Sequence, residues 1–296
     1  MKSLKPVHAA TRVQTRTREW LPGSAEALFA ELESLKKRAS TDGRLLLYRG
    51  HRCREWRLDS TFVRSVKMNM FGMQAHDGFS LRLQDSGDLN SALTSLLLFK
   101  FGTLLAPSDE LSKAESDHGL DAWFELMKRY QQYPVDDIPA PAGTNFLDWS
   151  QSSDVGLYFA NEQRSGEGAI FVCDATATGK TQQVLPVIDI LNKIRERFMH
   201  GQPNGLPLLF CPPRQIANQR ARNQQAMYFA QMELRLDMLE AWRLQEALLP
   251  DETIIQKLVL PAGSEDEIAK FLSEKSISDR FIYPDKVTSD GDAREV

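Results

Sequence analysis

Thr41-Asp42-Gly43-Arg44-Leu45-Leu46-Leu47-Tyr48-Arg49-Gly50 is the stretch on which the fold turns. Thr41-Asp42-Gly43 carries turn chemistry, and the apolar run Leu45 to Tyr48 is short and bounded by that turn and by Gly50. Such a run reads as a buried strand. It delivers Arg49 at its exit, where a ligand-facing residue sits. Upstream, Ser24 precedes Leu28, Phe29, Leu32 and Leu35. A cap followed by 3.6-residue spacing predicts a helix to about Lys37.

The bulk composition limits what these motifs mean. With 296 residues and 42% hydrophobic content the chain builds its own core. Cys53, Cys173 and Cys211 are odd in number and far apart, which suggests neither a disulfide framework nor a zinc site and points to a reducing compartment. Residues 1–20 form a basic, polar segment, read as flexible, without the apolar stretch of a secretory signal. No run of about 18 apolar residues follows, so a cytoplasmic protein without a membrane partner is expected. Net charge is only -4, yet Arg44, Arg49, Arg52, Arg54, Arg57, Arg64 and Lys67 stand against Glu55 and Asp59 alone. That is a local positive field suited to an anionic ligand, or a solvated surface.

Further along, Leu93–Leu105 and Leu120–Tyr133 read as core helices, and the proline-interrupted Pro134–Gly143 as a loop. A helix is predicted over Asp154–Glu162, strands over Gly168–Cys173, Ala226–Met232 and Ile254–Leu260, and a helix over Leu236–Ala247. Gln202–Pro213 reads as a loop. Ser264 with Glu267 forms a capping box before Ile268, Phe271 and Leu272. Gly179-Lys180-Thr181 lacks the glycine of a phosphate loop. The order predicts an α+β fold, helices flanking a small split sheet.

Three segments belong together: Tyr48-Arg49-Gly50; Asn145-Phe146-Leu147-Asp148-Trp149-Ser150 running into Gly156-Leu157-Tyr158-Phe159-Ala160; and Arg220 with Gln224-Gln225-Ala226-Met227-Tyr228. In this order they resemble the signatures of the FRG-domain family. The resemblance continues through Lys257–Ala262 to Phe281-Ile282-Tyr283-Pro284-Asp285 and covers residues 44–285, so residues 21–286 are read as one domain and 287–296 as a tail. Gln131-Gln132-Tyr133-Pro134 departs from the family's Gln-His-Tyr-Gly, and Ala226 stands where glycine is usual.

FRG domains in turn look like distant relatives of ADP-ribosyltransferases. The resemblance implies an antiparallel or mixed sheet of that architecture, with NAD as substrate, no metal, and ADP-ribose transferred to a protein or nucleic-acid acceptor or to water. A bacterial toxin or defence role with an inhibitory partner protein would follow. Arg49 would anchor phosphate through its fork, with Tyr48 beside it and Gly50 admitting the ligand to the backbone. Tyr158 would stack on nicotinamide, and Trp149 would pack beneath it. Gln224 or Gln225 would orient the ribose, and Asp148 would supply the charge for an oxocarbenium-like transition state, with Glu233 a weaker candidate. In the competing structural reading Asp148 pairs with Arg49 or caps the following helix. The functional alternatives are a catalytically silent nucleotide- or RNA-binding module and an interaction subunit held by Leu93–Leu105.

Overall fold

The structure is a computed structural model that describes residues 19–74, 76–80, 88–90, 92–93, 95–96, 141–179, 208–210, 219–231, 233–247, 249 and 251–284. Leu93–Leu105 beyond residue 96, Leu120–Tyr133, most of Pro134–Gly143, Lys180-Thr181, Cys211 and residues 1–18 and 287–296 lie outside the described residues.

Helix α1 (Ala25–Thr41) starts at Ser24, whose hydroxyl accepts from the Ala27 amide at 3.3 Å. It runs to Thr41, beyond the Lys37 expected, and ends as the Asp42 amide bonds the Arg38 carbonyl. The strand that follows, β2, covers Leu46–His51. Arg49 therefore lies inside the strand and not at its exit, because β4 (Gly168–Asp174) pairs with β2 as far as His51–Ala169. Period-two alternation then puts Leu47, Arg49 and His51 on one face and Tyr48 and Gly50 on the other.

Among the described residues seven strands form one mixed sheet. Glu19–Trp20 (β1), placed by the sequence in the N-terminal segment, pairs parallel to β7 (Ile255–Leu260) at one edge. From there β7, β4 and β2 run antiparallel, followed by β3 (Phe146–Ser150), β6 (Ala226–Ala230) and β5 (Leu208–Phe210). The strand β5 falls in the stretch read as a loop. The sheet is thus larger than the small one expected. Its halves meet through the single pair Tyr48–Ser150.

Each face of the sheet has its own core. On one, Tyr48, Ile170, Val172, Leu258 and Leu260 pack under α1, α3 (Ser153–Asn161), α7 (Glu265–Glu274) and α8 (Asp279–Ile282). On the other, Leu47, Trp149, Phe171, Phe229 and Ile255 pack under Met238 and Trp242 of α6 (Met238–Glu246). The helices α2 (Thr61–Met70), α4 (Ala175–Gly179) and α5 (Gln219–Asn223) fill the connections. The Ser264 capping box does not form. The Ser264 hydroxyl instead donates to the Pro261 carbonyl at 2.6 Å and accepts from Arg164 at 3.0 Å. A buried guanidinium needs acceptors more than the helix needs a cap. Among the described residues no helix is long and apolar enough to cross a membrane.

Candidate functional site

Beyond the Tyr48–Ser150 pair the strands β2 and β3 part, and a cleft of about 320 Å³ opens along the seam. That volume lies at the low end of small-molecule sites, ~300–1,000 Å³. Arg49 spans the gap. Its Nη1 donates to the Asp148 carbonyl, which a continuous ladder would have used, and its Nε donates to His51 Nε2 at 3.1 Å. Arginine has no acceptor, so His51 Nε2 carries the lone pair and the ring proton sits on Nδ1, facing the Trp56 carbonyl at 3.4 Å. Burial first, then Arg49 and Arg64, hold the His51 pKa well below its ordinary value, so the ring is neutral. Arg49 is half-exposed by surface, yet its guanidinium is surrounded by protein. Burial, with help from Arg64, lowers its pKa to about 10 against the opposing pull of Asp148, and it stays charged at neutral pH.

Gly50 borders the cleft and has a packing role as well. A Cβ on Gly50 would lie 2.1 Å from the Gly156 carbonyl oxygen and 2.3 Å from the Ala160 amide nitrogen. A Cβ on Gly156 would meet that of Tyr48 at 2.8 Å. The two glycines let α3 lie directly on β2, so Gly50 serves helix packing while it also borders the cleft. Seated this way, α3 turns Val155, Phe159 and Glu162 to the cleft, one helical face at four- and three-residue spacing. Tyr158 points elsewhere: its ring is 7% exposed in the core and its hydroxyl donates to Asp279 at 2.7 Å. Phe159 lines the cleft together with Tyr48, Trp56, Trp149 and Tyr228, and Tyr158 does not reach it.

The opposite wall comes from the β3–β6 half. Asp148 is exposed at the cleft mouth. Trp149 is 2% exposed, borders the cleft and packs edge-on against Phe229 and Trp242, in the core on the other face of the sheet from Tyr158 and so not beneath it. Gln224 lines the cleft, its amide donating to the Ile282 carbonyl at 3.1 Å, while Ser150 Oγ donates to the Gln224 carbonyl at 2.7 Å. Gln225 occupies the turn before β6 with φ of 44°, exposed and outside the cleft lining. That left-handed position is where a glycine would have been free of strain. Glu233 is bound in a fork by Arg235 at 2.8 Å and lies away from the cleft. Arg220 lines the cleft with its guanidinium 4.9 Å above the Tyr283 ring. The Tyr283 hydroxyl donates to Glu162 at 3.1 Å. His51 and Glu162 were missed by the sequence reading, and Phe159 and Tyr283 were quoted in its signatures without a site role; the i, i+4, i+7 spacing of Val155, Phe159 and Glu162 was a further signal.

The charges divide sharply. Of the cation run between Arg44 and Lys67, Arg44 binds Asp174 and Glu252, Arg54 binds Glu19 and Glu167, Arg57 binds Asp237 and Glu240, and Lys67 binds Asp59. The broad positive field of the sequence is largely neutralised by these pairs. Arg49, Arg52 and Arg64 have no carboxylate at ion-pair distance among the described residues, and neither has Arg220. Arg52 instead donates to the neutral Gln163 at 3.1 Å and covers Trp56. Three of these four line the cleft, and Arg64 lies close enough to repel Arg49 and His51. Buried charge is normally paired. Three arginines with no ion-pair partner among the described residues, set in one cleft beside Asp148 and Glu162, have the chemistry of an anion site. Comparison with protein-family models, curated proteins and solved structures found no match.

Proposed function

We propose that the cleft binds NAD through its pyrophosphate and supports nicotinamide release, with ADP-ribose passing to an acceptor or to water. The observation that carries the reading is Arg49: a guanidinium at the seam of the sheet, held only by a neutral imidazole and a backbone carbonyl. Those bonds fix the fork without compensating its charge, which leaves the remaining N–H donors for a phosphate. Arg220 and Arg52 line the same cleft. The FRG-like order of segments supports the choice of NAD among pyrophosphate ligands, and the single-pair seam between half-sheets accords with the split sheet of the ADP-ribosyltransferase architecture. Phe159 offers the flat face for the departing ring, Gln224 an amide for the ribose, and Asp148 a carboxylate at the mouth.

The test is calorimetric titration with NAD beside chromatographic assay of nicotinamide. Wild type should bind and release. Arg49→Ala should bind about 10- to 150-fold more weakly for the loss of one or two charge-assisted bonds, ~1.5–3 kcal/mol. Neither binding nor release by wild type defeats the proposal. A second reading, a module that holds nucleotide without turning it over, draws on Gln224 and Gln225 at the third signature, where an acid would supply charge; binding without release selects it. Mass spectrometry of a lysate incubated with labelled NAD identifies the acceptor.

A further inference from the structure

We infer that Glu162 is the specificity residue of this cleft, reading a positive charge on the ligand and so favouring an oxidised, pyridinium-bearing dinucleotide over its neutral reduced form. The inference rests on the reading of the cleft as an NAD site. Glu162 lines the cleft at the C-terminal end of α3. Its carboxylate has no cation at ion-pair distance among the described residues, although three arginines line the same space. Its Oε2 is oriented by the Tyr283 hydroxyl at 3.1 Å. The nearest hydroxyl to Oε1, that of Tyr158 at 3.5 Å, has one proton and places it on Asp279 at 2.7 Å. One carboxylate oxygen is therefore held in place with no strong donor of its own. The last turn of α3 adds its carbonyl ends to that negative potential, which favours a cation. Phe159, one turn back, presents an aromatic ring to the same cleft. A cationic ring against Phe159 satisfies the carboxylate, while phosphates satisfy the arginines. A neutral dihydropyridine would leave Glu162 Oε1 desolvated with no cation to offset its charge.

The full-length protein is titrated with NAD in its oxidised form, with its reduced form and with ADP-ribose, as wild type, Glu162→Gln and Tyr283→Phe. Wild type should favour the oxidised form about fivefold, the weight of one partly screened charge pair. Glu162→Gln keeps the shape and should bring the ratio to about one, with ADP-ribose binding unchanged or tighter. Tyr283→Phe, which keeps the carboxylate but frees its orientation, should give an intermediate ratio. If the ratio stays at the wild-type value in Glu162→Gln, or if ADP-ribose weakens in parallel with NAD, the inference falls while the nucleotide site stands. If none of the three ligands binds wild type, both fall together.

Discussion

Gly50→Ala offers the most direct test of how the site is built. The new methyl would sit 2.1 Å from the Gly156 carbonyl oxygen and 2.3 Å from the Ala160 nitrogen, both backbone atoms of a helix that cannot rotate out of the way. Relief requires α3 to lift by about 1 Å, and a gap of that size forfeits up to half of each dispersion contact across it. The affected interface is the Tyr48, Val155, Leu157 and Ile170 part of the core. Overpacking of this kind costs about 3 kcal/mol or more, which in a domain of this size lowers Tm by about 6–12 °C. Gly23→Ala, where nothing lies within 4 Å and φ is not positive, is the control and should melt within about 1 °C of wild type. Differential scanning calorimetry reads both. If Gly50→Ala melts with wild type and loses only ligand binding, Gly50 serves the ligand after all and the packing argument is wrong.

Three further outcomes are expected. His51 is held neutral with its folded pKa below the unfolded value of about 6.5. Its contribution to stability is complete above that value and is lost as pH falls through the folded one. Urea midpoints between pH 7.5 and 5 should therefore drop more for wild type than for His51→Gln; equal slopes would refute the neutral ring. Lys67→Met leaves Asp59 buried and unpaired and should cost about 3–5 kcal/mol in urea unfolding, partly restored by adding Asp59→Asn. A loss under 1 kcal/mol would show that the pair is hydrated. Tyr158→Phe should lower stability by about 1.5–3 kcal/mol through the lost bond to Asp279 and leave NAD affinity unchanged, whereas Phe159→Ala should weaken it. Unchanged affinity in Phe159→Ala would refute the stacking role of Phe159.

Much of the scaffold was legible because it follows from periodicity and capping. Ser24 and the Leu28, Leu32 and Leu35 spacing located α1, and unbroken apolar runs located β4 and β7. Arg49 stood out because a charge directly after a buried apolar run has to be explained, though the strand continues past it to His51. What surrounds it was not legible, since the deciding contacts are long-range. Gly50 looked like a ligand-facing glycine, and its second role, the close approach of Gly156 more than a hundred residues on, was not visible. Tyr158 and Phe159 are neighbours in sequence, and which of them meets the cleft depends on the rotation at which those glycines seat the helix. The cation run was visible, but its neutralisation by Glu19, Asp174, Asp237 and Glu252 was not. Serine at position 264 looked like a cap because local sequence does not show the buried Arg164 competing for its hydroxyl.

The bond from Tyr283 to Glu162 joins residues separated by 121 positions, and Gln224 is tied in the same way to the Ile282 carbonyl. Both walls of the cleft are thus finished by residues translated well after them. At ~5–20 residues per second the ribosome takes roughly 6–24 s to go from Glu162 to Tyr283. During that interval Glu162 lacks its hydroxyl donor and Arg220 the ring beneath it. The nascent chain therefore completes the cleft late, after most of the sheet has been synthesised, with a built-in delay between forming the sheet and finishing the cleft walls.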